Sequence, residues 1–319
     1  MTRIDCGNRS GELQSGGTTP HKHSYRRLGR LRHVPKKNGS TVLYLTGKGG
    51  VGKTFLAERL AAYLGVLTGR VGLVSMPRTV SLRAGTPTAH PVEIETMVLD
   101  DRAALGHLLA RVVGLRFISE RLLDSRTFTA VAAAAPGVRE FVTVSFIEEI
   151  AARERYRWVV VDGPATGHTM SLLAAPARFT KLAPLGPAAR LARSASQLVA
   201  DPRRFVISLV AAPEELAARE AVDGMAQLGA LGITPRGVIV NGIYPEVTTR
   251  PQAAWLEGHS SNPDVRLYLA ERARQIEVVE RLARDIGPLE LVPREISGLH
   301  TADAAIEALA RRLVREAEA

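Results

Sequence analysis

A three-layer α/β fold with a mostly parallel central sheet is predicted by three observations on this 319-residue sequence. Short apolar runs of strand type recur along the chain, separated by segments with helical spacing. One run, Trp158-Val159-Val160-Val161, is apolar at every residue, as expected for a parallel strand covered on both faces. The first run leads through a glycine-rich turn into a helical segment, the order of a βα unit.

The elements follow in order. Val42-Leu43-Tyr44-Leu45 reads as the first strand, and a helical pattern runs from Gly52 to about Leu67. Arg70 to Met76 is the second strand and Val92 to Leu99 the third. Helical spacing covers residues around 101–113 and 137–154 before the Trp158–Val161 strand. Phe205 to Val210 and Gly237 to Val240 are two further strands. Helical patterns over 213–231, 263–286 and 301–316 lie between and after them. No internal repeat is visible. Helical inserts over about 100–155 and 172–202 are expected to build a small helical subdomain beside the sheet.

Composition excludes several classes. Apolar residues are 45% and charged residues 23%, a globular balance that supports a sizeable core. Aromatics are only 5%, so that core must be built mainly from Ala, Leu and Val. The longest apolar run, Ala130 to Pro136, is far below the roughly 18–20 residues of a membrane span. The single cysteine, Cys6, excludes a disulfide framework and a Cys-x-x-Cys zinc site. The sequence begins without an apolar signal core, and the expected location is the cytoplasm.

The net charge of +10 is unevenly placed. Residues 1–40 carry Arg3, Arg9, Lys22, Arg26, Arg27, Arg30, Arg32, Lys36 and Lys37 against Asp5 and Glu12. They are rich in Gly, Ser and Thr and read as a disordered basic tail, with residues 41–319 as one domain. Tyr25 is the one Phe, Tyr or Trp among these charges and no groove-reading element accompanies them, so nucleic acid is not an expected partner.

The strongest local signal is Gly47-Lys48-Gly49-Gly50-Val51-Gly52-Lys53-Thr54. It fits G-x-x-x-x-G-K-S/T directly after a strand and at the mouth of a helix, the context of a phosphate loop. Glycines let backbone N–H groups converge on phosphate oxygens, and the helix N-terminus adds partial positive charge. Lys53 is expected to reach the β- and γ-phosphates of ATP, and the Thr54 hydroxyl to coordinate Mg²⁺. Asp162 closes the Trp158–Val161 strand, where a carboxylate can hold the same ion.

These motifs resemble the signature-lysine ATPases, and within them the family of arsenite-pump ATPases (ArsA) and tail-anchored-protein targeting factors. Lys48, the second lysine of the loop, matches the lysine that in such proteins crosses a dimer interface to the partner's nucleotide. Asp162-Gly163-Pro164-Ala165-Thr166-Gly167-His168-Thr169 resembles the family's D-T-A-P-T-G-H-T. Asp162, Thr166, Gly167, His168 and Thr169 agree outright, while Gly163-Pro164-Ala165 replaces T-A-P. The resemblance makes this stretch switch II, which couples nucleotide state to movement. Pro213-Glu214-Glu215-Leu216 resembles P-E-x-L, and Val238-Ile239-Val240-Asn241 resembles V-x-V-N, whose Asn recognises adenine. Pro293-Arg294-Glu295-Ile296-Ser297-Gly298 resembles a late loop against the base, which assigns Pro293 to the nucleotide site.

The sequence also departs from the family. S-T-D-P-A-H after the second strand has become Val74-Ser75-Met76-Pro77-Arg78-Thr79, and no carboxylate lies between Glu58 and Glu93. The family's Asp there orients the attacking water, and a positioned base typically supplies about 10²–10⁴ in rate. Phe55 stands where many relatives carry a second hydroxyl near the α-phosphate, removing a hydrogen bond worth on the order of 1 kcal/mol. Only Leu172 to Pro202 separates switch II from the next strand, too short for a full membrane-helix groove, and no zinc-binding cysteine pair is present.

The resemblance implies a Mg²⁺-ATP-binding ATPase that forms a nucleotide-dependent homodimer, or a heterodimer with a related ATPase, and serves a client or membrane-protein partner. Two alternatives remain: a catalytically weak subunit paired with an active relative, and a ParA- or MinD-like positioning ATPase that binds DNA or membrane. The C-terminal stretch Ala302–Ala319 bears on the second. Its Arg311, Arg312 and Arg315 alternate with Glu307, Glu316 and Glu318, the pattern of a solvated face on a helix that packs against the sheet.

Overall fold

The computed structural model describes residues 39–76, 94–98, 137–153, 155–182, 184–296 and 300–319. Its strands are β1 (Thr41–Thr46), β2 (Val71–Ser75), β3 (Ile94–Val98), β4 (Trp158–Asp162), β5 (Phe205–Ala211), β6 (Gly237–Ile243) and β7 (Leu289–Pro293). Its helices are α1 (Lys53–Thr68), α2 (Val138–Ala152), α3 (Thr166–Leu182), α4 (Gly186–Ala200), α5 (Glu215–Ala230), α6 (Arg250–His259), α7 (Pro263–Ile286) and α8 (Asp303–Glu318). The basic segment up to residue 38, the expected helix around 101–113 and the stretch 77–93 lie outside the described residues.

The described strands form one sheet in the order β3-β2-β4-β1-β5-β6-β7, with every pairing parallel. This is an α/β fold of the P-loop type. Parallel pairing puts the C-terminal ends of all seven strands on one edge, so loops far apart in sequence meet there. β1 is central, flanked by β4 and β5, and every residue of it is buried.

Alternation along β1 divides the core in two. Val42 and Tyr44 join one apolar cluster, Leu43 and Leu45 the other. Leu56, Leu60 and Leu64 of α1, together with Ile306, Leu309 and Leu313 of α8, cover the Leu43 face. Ile147 of α2, Leu172 of α3, Leu198 of α4, Leu228 of α5 and Leu282 of α7 cover the Tyr44 face. Burial from both sides is why β1 and β4 read as unbroken apolar runs. A smaller cluster of Phe141, Ala175, Leu191 and Ala192, with Phe179 against it, ties α2, α3 and α4 together.

The C-terminal helix behaves as its pattern predicts. Its apolar stripe is buried on the sheet, while Arg311 bonds Glu307, Arg312 bonds Glu290 and Arg236 bonds Glu316. Among the described residues, no helix is long and apolar enough to cross a membrane.

Two elements go beyond the sequence reading. β7 is an edge strand buried fully at one residue only, so it carries no apolar run. α6 buries none of its described residues, so no helical periodicity marks it. A signal did exist in its cap: Thr249 accepts from the Gln252 N–H, Gln252 reaches back to the Thr249 N–H, and Pro251 sits in the first turn.

Candidate nucleotide site

The turn from Gly47 to Gly52 leaves β1 at the sheet's C-terminal edge and enters α1. Gly47, Gly50 and Gly52 have φ of 149°, 88° and 88°, a region costly for residues with a Cβ. A Cβ at Gly47 would stand 2.0 Å from the Val210 carbonyl oxygen of β5, and one at Gly52 would stand 2.3 Å from Asn241 Nδ2. The loop is thus pressed against β5 and β6 by residues without side chains. At Gly49 and Gly50 nothing lies within 4 Å of such an atom, leaving an open concave face.

Lys53 Nζ donates to the carbonyl oxygens of Gly47 and Lys48, both at 2.9 Å, arching over the loop. The Thr54 hydroxyl donates to Asp162 Oδ2 at 2.6 Å, joining the start of α1 to the end of β4. Register explains that meeting, because β1 and β4 pair Leu45 with Asp162. Burial raises the Asp162 pKa above its ordinary 3.8, while the Thr54 hydroxyl and the Lys53 charge act against that rise. The folded protein therefore holds this proton to higher pH than the unfolded chain does. The stability this group contributes is present at low pH and is lost as pH rises through the interval above 3.8. Asp162→Asn is expected to leave the ligand-free protein at least as stable as wild type at pH 7 in urea unfolding.

Gly163 begins the next loop with its N–H on the Leu45 carbonyl at 2.9 Å; a Cβ there would lie 2.5 Å from the same oxygen. Thr166 opens α3, and Gly167 and His168 are exposed in its first turn. Thr169 is fully buried, and its hydroxyl lies 2.8 Å from that of Thr46, the last residue before the phosphate loop. Thr46 Oγ1 donates to the Pro164 carbonyl at 3.0 Å, and the buried Tyr44 hydroxyl lies 3.5 Å from Thr169. These hydroxyls bind the root of the phosphate loop to the loop after β4. Thr169→Val keeps the shape but takes the Thr169 hydroxyl from the buried Tyr44 and leaves Thr46 only the Pro164 carbonyl, and should cost about 1–3 kcal/mol in chemical denaturation.

A cavity of about 620 Å³ opens in front of the loop. Gly49, Gly50, Gly52, Lys53 and Thr54 line it, with Asp162, Gly163, Pro164, Ala165 and His168 from the β4–α3 connection. The cavity also takes Arg139, Glu140 and Thr143 from α2, residues the sequence reading did not single out. No motif marks them, since only the packing of α2 against the sheet brings them to the loop.

Other expected residues are placed as follows. Lys48 Nζ lies 3.3 Å from Glu220 of α5, an exposed ion pair within the chain. Val51 is buried in the core, and the Phe55 ring is half-buried with the Arg59 guanidinium 5.5 Å from its centroid. Asn241 donates from Nδ2 to the Val51 carbonyl at 2.9 Å, so it braces the loop. Pro293 ends β7 opposite Ile243, which sets it close to Asn241 on the neighbouring strand. Among the described residues no cluster of His, Cys, Asp and Glu could hold a metal by itself. Any Mg²⁺ here would be held by Thr54, Asp162 and a bound phosphate together, the usual manner of a cation bound with few protein ligands.

Fold and site together define an α/β protein with a phosphate loop. Sequence relatives sharpen this. The chain is 26% identical over 264 residues to an arsenical pump-driving ATPase of Escherichia coli, an alignment covering 78% of this chain and 42% of that protein. It is 27% identical over 264 residues to the arsenical pump-driving ATPase of Acidiphilium multivorum, with 78% and 42% covered. Protein Rv2184c of Mycobacterium tuberculosis is 26% identical over 290 residues, covering 77% of this chain and 68% of that one. No family model matches the chain. The chain is thus similar in sequence to arsenical pump-driving ATPases, and it spans about two fifths of the length of those it matches.

Proposed function

We propose that this chain binds Mg²⁺-ATP at the Gly47–Thr54 loop and hydrolyses it, coupling nucleotide state to the β4–α3 connection. The observation that supports this most is the Thr54 hydroxyl held 2.6 Å from Asp162 beside an open glycine loop capped by Lys53. The residues suit the ligand. Loop N–H groups and Lys53 hold β- and γ-phosphate oxygens, and Thr54 with Asp162 would hold the ion. Bound Mg²⁺ would neutralise the charge that develops on the phosphate oxygens. Asn241 and Pro293 flank the same edge and would meet the adenine. Movement of Gly163–Thr169 is transmitted to the loop through Thr46 and Thr169.

Dimerisation through Lys48 belongs to the same reading. Lys48 would exchange Glu220 for the nucleotide of a partner subunit, another copy or a related ATPase, with a client or membrane-protein partner downstream. A second reading, a nucleotide-gated subunit with little turnover, is favoured by the missing carboxylates between Glu58 and Glu93. Equilibrium ATP binding measured beside Mg²⁺-dependent phosphate release separates the two. Tight binding with steady release supports the ATPase, and tight binding without release supports the gated subunit. Absence of binding sinks both.

A further inference from the structure

Hydrolysis of ATP needs a group that orients the attacking water. The segment after β2 brings no carboxylate for this, since none lies between Glu58 and Glu93. Among the described residues, two carboxylates line the cavity at the phosphate loop, Asp162 and Glu140. Asp162 already accepts the Thr54 hydroxyl at 2.6 Å, and in the ATPase reading that pair would hold the ion.

Glu140 reaches the cavity from another wall. It sits in the first turn of α2, half-buried, just after Gly137 starts the helix at φ 84°. Its neighbours fix that turn. Phe141 is buried and stacks on Phe179 with centroids 4.3 Å apart, and the buried Thr143 donates to the Arg139 carbonyl at 3.0 Å. A carboxylate residue on an anchored turn, lining the same cavity as Lys53 and Thr54, has the rigidity that a positioned base requires.

We propose that Glu140 orients the water that attacks the γ-phosphorus and takes its proton. The proposal rests on the ATPase reading above. In the step, the water oxygen bonds to the γ-phosphorus as the bond to the β–γ bridging oxygen breaks. ADP leaves with that electron pair, and the water proton passes to the Glu140 carboxylate, from which it returns to solvent. An ionised carboxylate only accepts hydrogen bonds, so the water must point its hydrogens at Glu140 and a lone pair at phosphorus.

The test uses the full chain with Glu140→Gln, Glu140→Asp, His168→Asn and Lys53→Ala. Turnover and equilibrium binding of ATP and of ADP are measured for each. Glu140→Gln should lose about 10²–10⁴ in turnover. It should bind ATP as tightly as wild type or more tightly, with ADP binding unchanged, because an anion beside the γ-phosphate has been removed. Glu140→Asp keeps the charge, retracts it by one methylene, and should recover part of the rate. A purely structural role for Glu140 would instead weaken ATP and ADP binding together, and that result overturns the proposal. So does turnover of Glu140→Gln within about threefold of wild type, or a loss seen in His168→Asn alone. In these cases wild-type turnover that disappears in Lys53→Ala leaves the ATPase reading standing. Wild-type protein without such turnover sinks both.

Discussion

Lys53→Ala is expected to abolish measurable turnover and to weaken ATP binding by one to two orders of magnitude. The Lys53 ammonium donates to the Gly47 and Lys48 carbonyls at 2.9 Å each, so it shapes the loop and sets a positive charge in the cavity lining. Each charge-assisted hydrogen bond to phosphate lost with it is worth about 1.5–3 kcal/mol, or roughly 10- to 150-fold in affinity. Turnover falls further, on the order of 10²–10³, because charge develops on the same oxygens as the γ-phosphoryl group transfers. Stability should change little, since Lys53 lies at the mouth of α1 and outside the apolar clusters. Calorimetric titration with ATP, beside thermal unfolding of the ligand-free variant, checks both halves. Unchanged affinity in a folded variant would move the nucleotide away from this loop.

Gly47→Ala is expected to destabilise the fold and to disable the site together. The new Cβ would lie 2.0 Å from the Val210 carbonyl oxygen, 3.0 Å from its carbon and 3.1 Å from its nitrogen. All three are backbone atoms of β5, the strand beside β1, so no rotamer change relieves the clash. The φ of 149° adds conformational cost for any residue with a Cβ. Together these should cost on the order of 3 kcal/mol. The loop must shift away from β5, so ATP binding should fall with stability. Gly49→Ala is the matched control, because a Cβ there meets nothing within 4 Å. Its stability should stay within about 0.5 kcal/mol of wild type. Urea unfolding of the two variants side by side decides the matter, and equal midpoints would contradict the packing argument.

Much of the central architecture was legible in advance. β1, β4 and α1 appear where apolar runs and helical spacing put them, because burial on both faces leaves a continuous apolar signature. The helix over 263–286 is recovered end to end: Asn262 caps it, Pro263 starts it and Gly287 stops it. β7 escaped because it is a short edge strand only partly buried, and α6 because its described residues are mostly exposed, so neither imposes an apolar period.

The sequence by itself determined that a phosphate loop follows the first strand of a parallel α/β sheet. That is a local fact: eight consecutive residues, Gly47 to Thr54, carry both the conformation and the chemistry. Only the tertiary structure decided what faces that loop. Glu140 of α2 lines the cavity in front of it and Glu220 of α5 pairs with its Lys48, from elements scattered along the chain and gathered at one sheet edge by parallel pairing. Their spacing in the sequence carries no period and no motif, whereas the motifs that marked Thr169 and Asn241 did not show that these brace Thr46 and Val51. Their roles come from register and packing, which are settled only when the whole sheet is assembled.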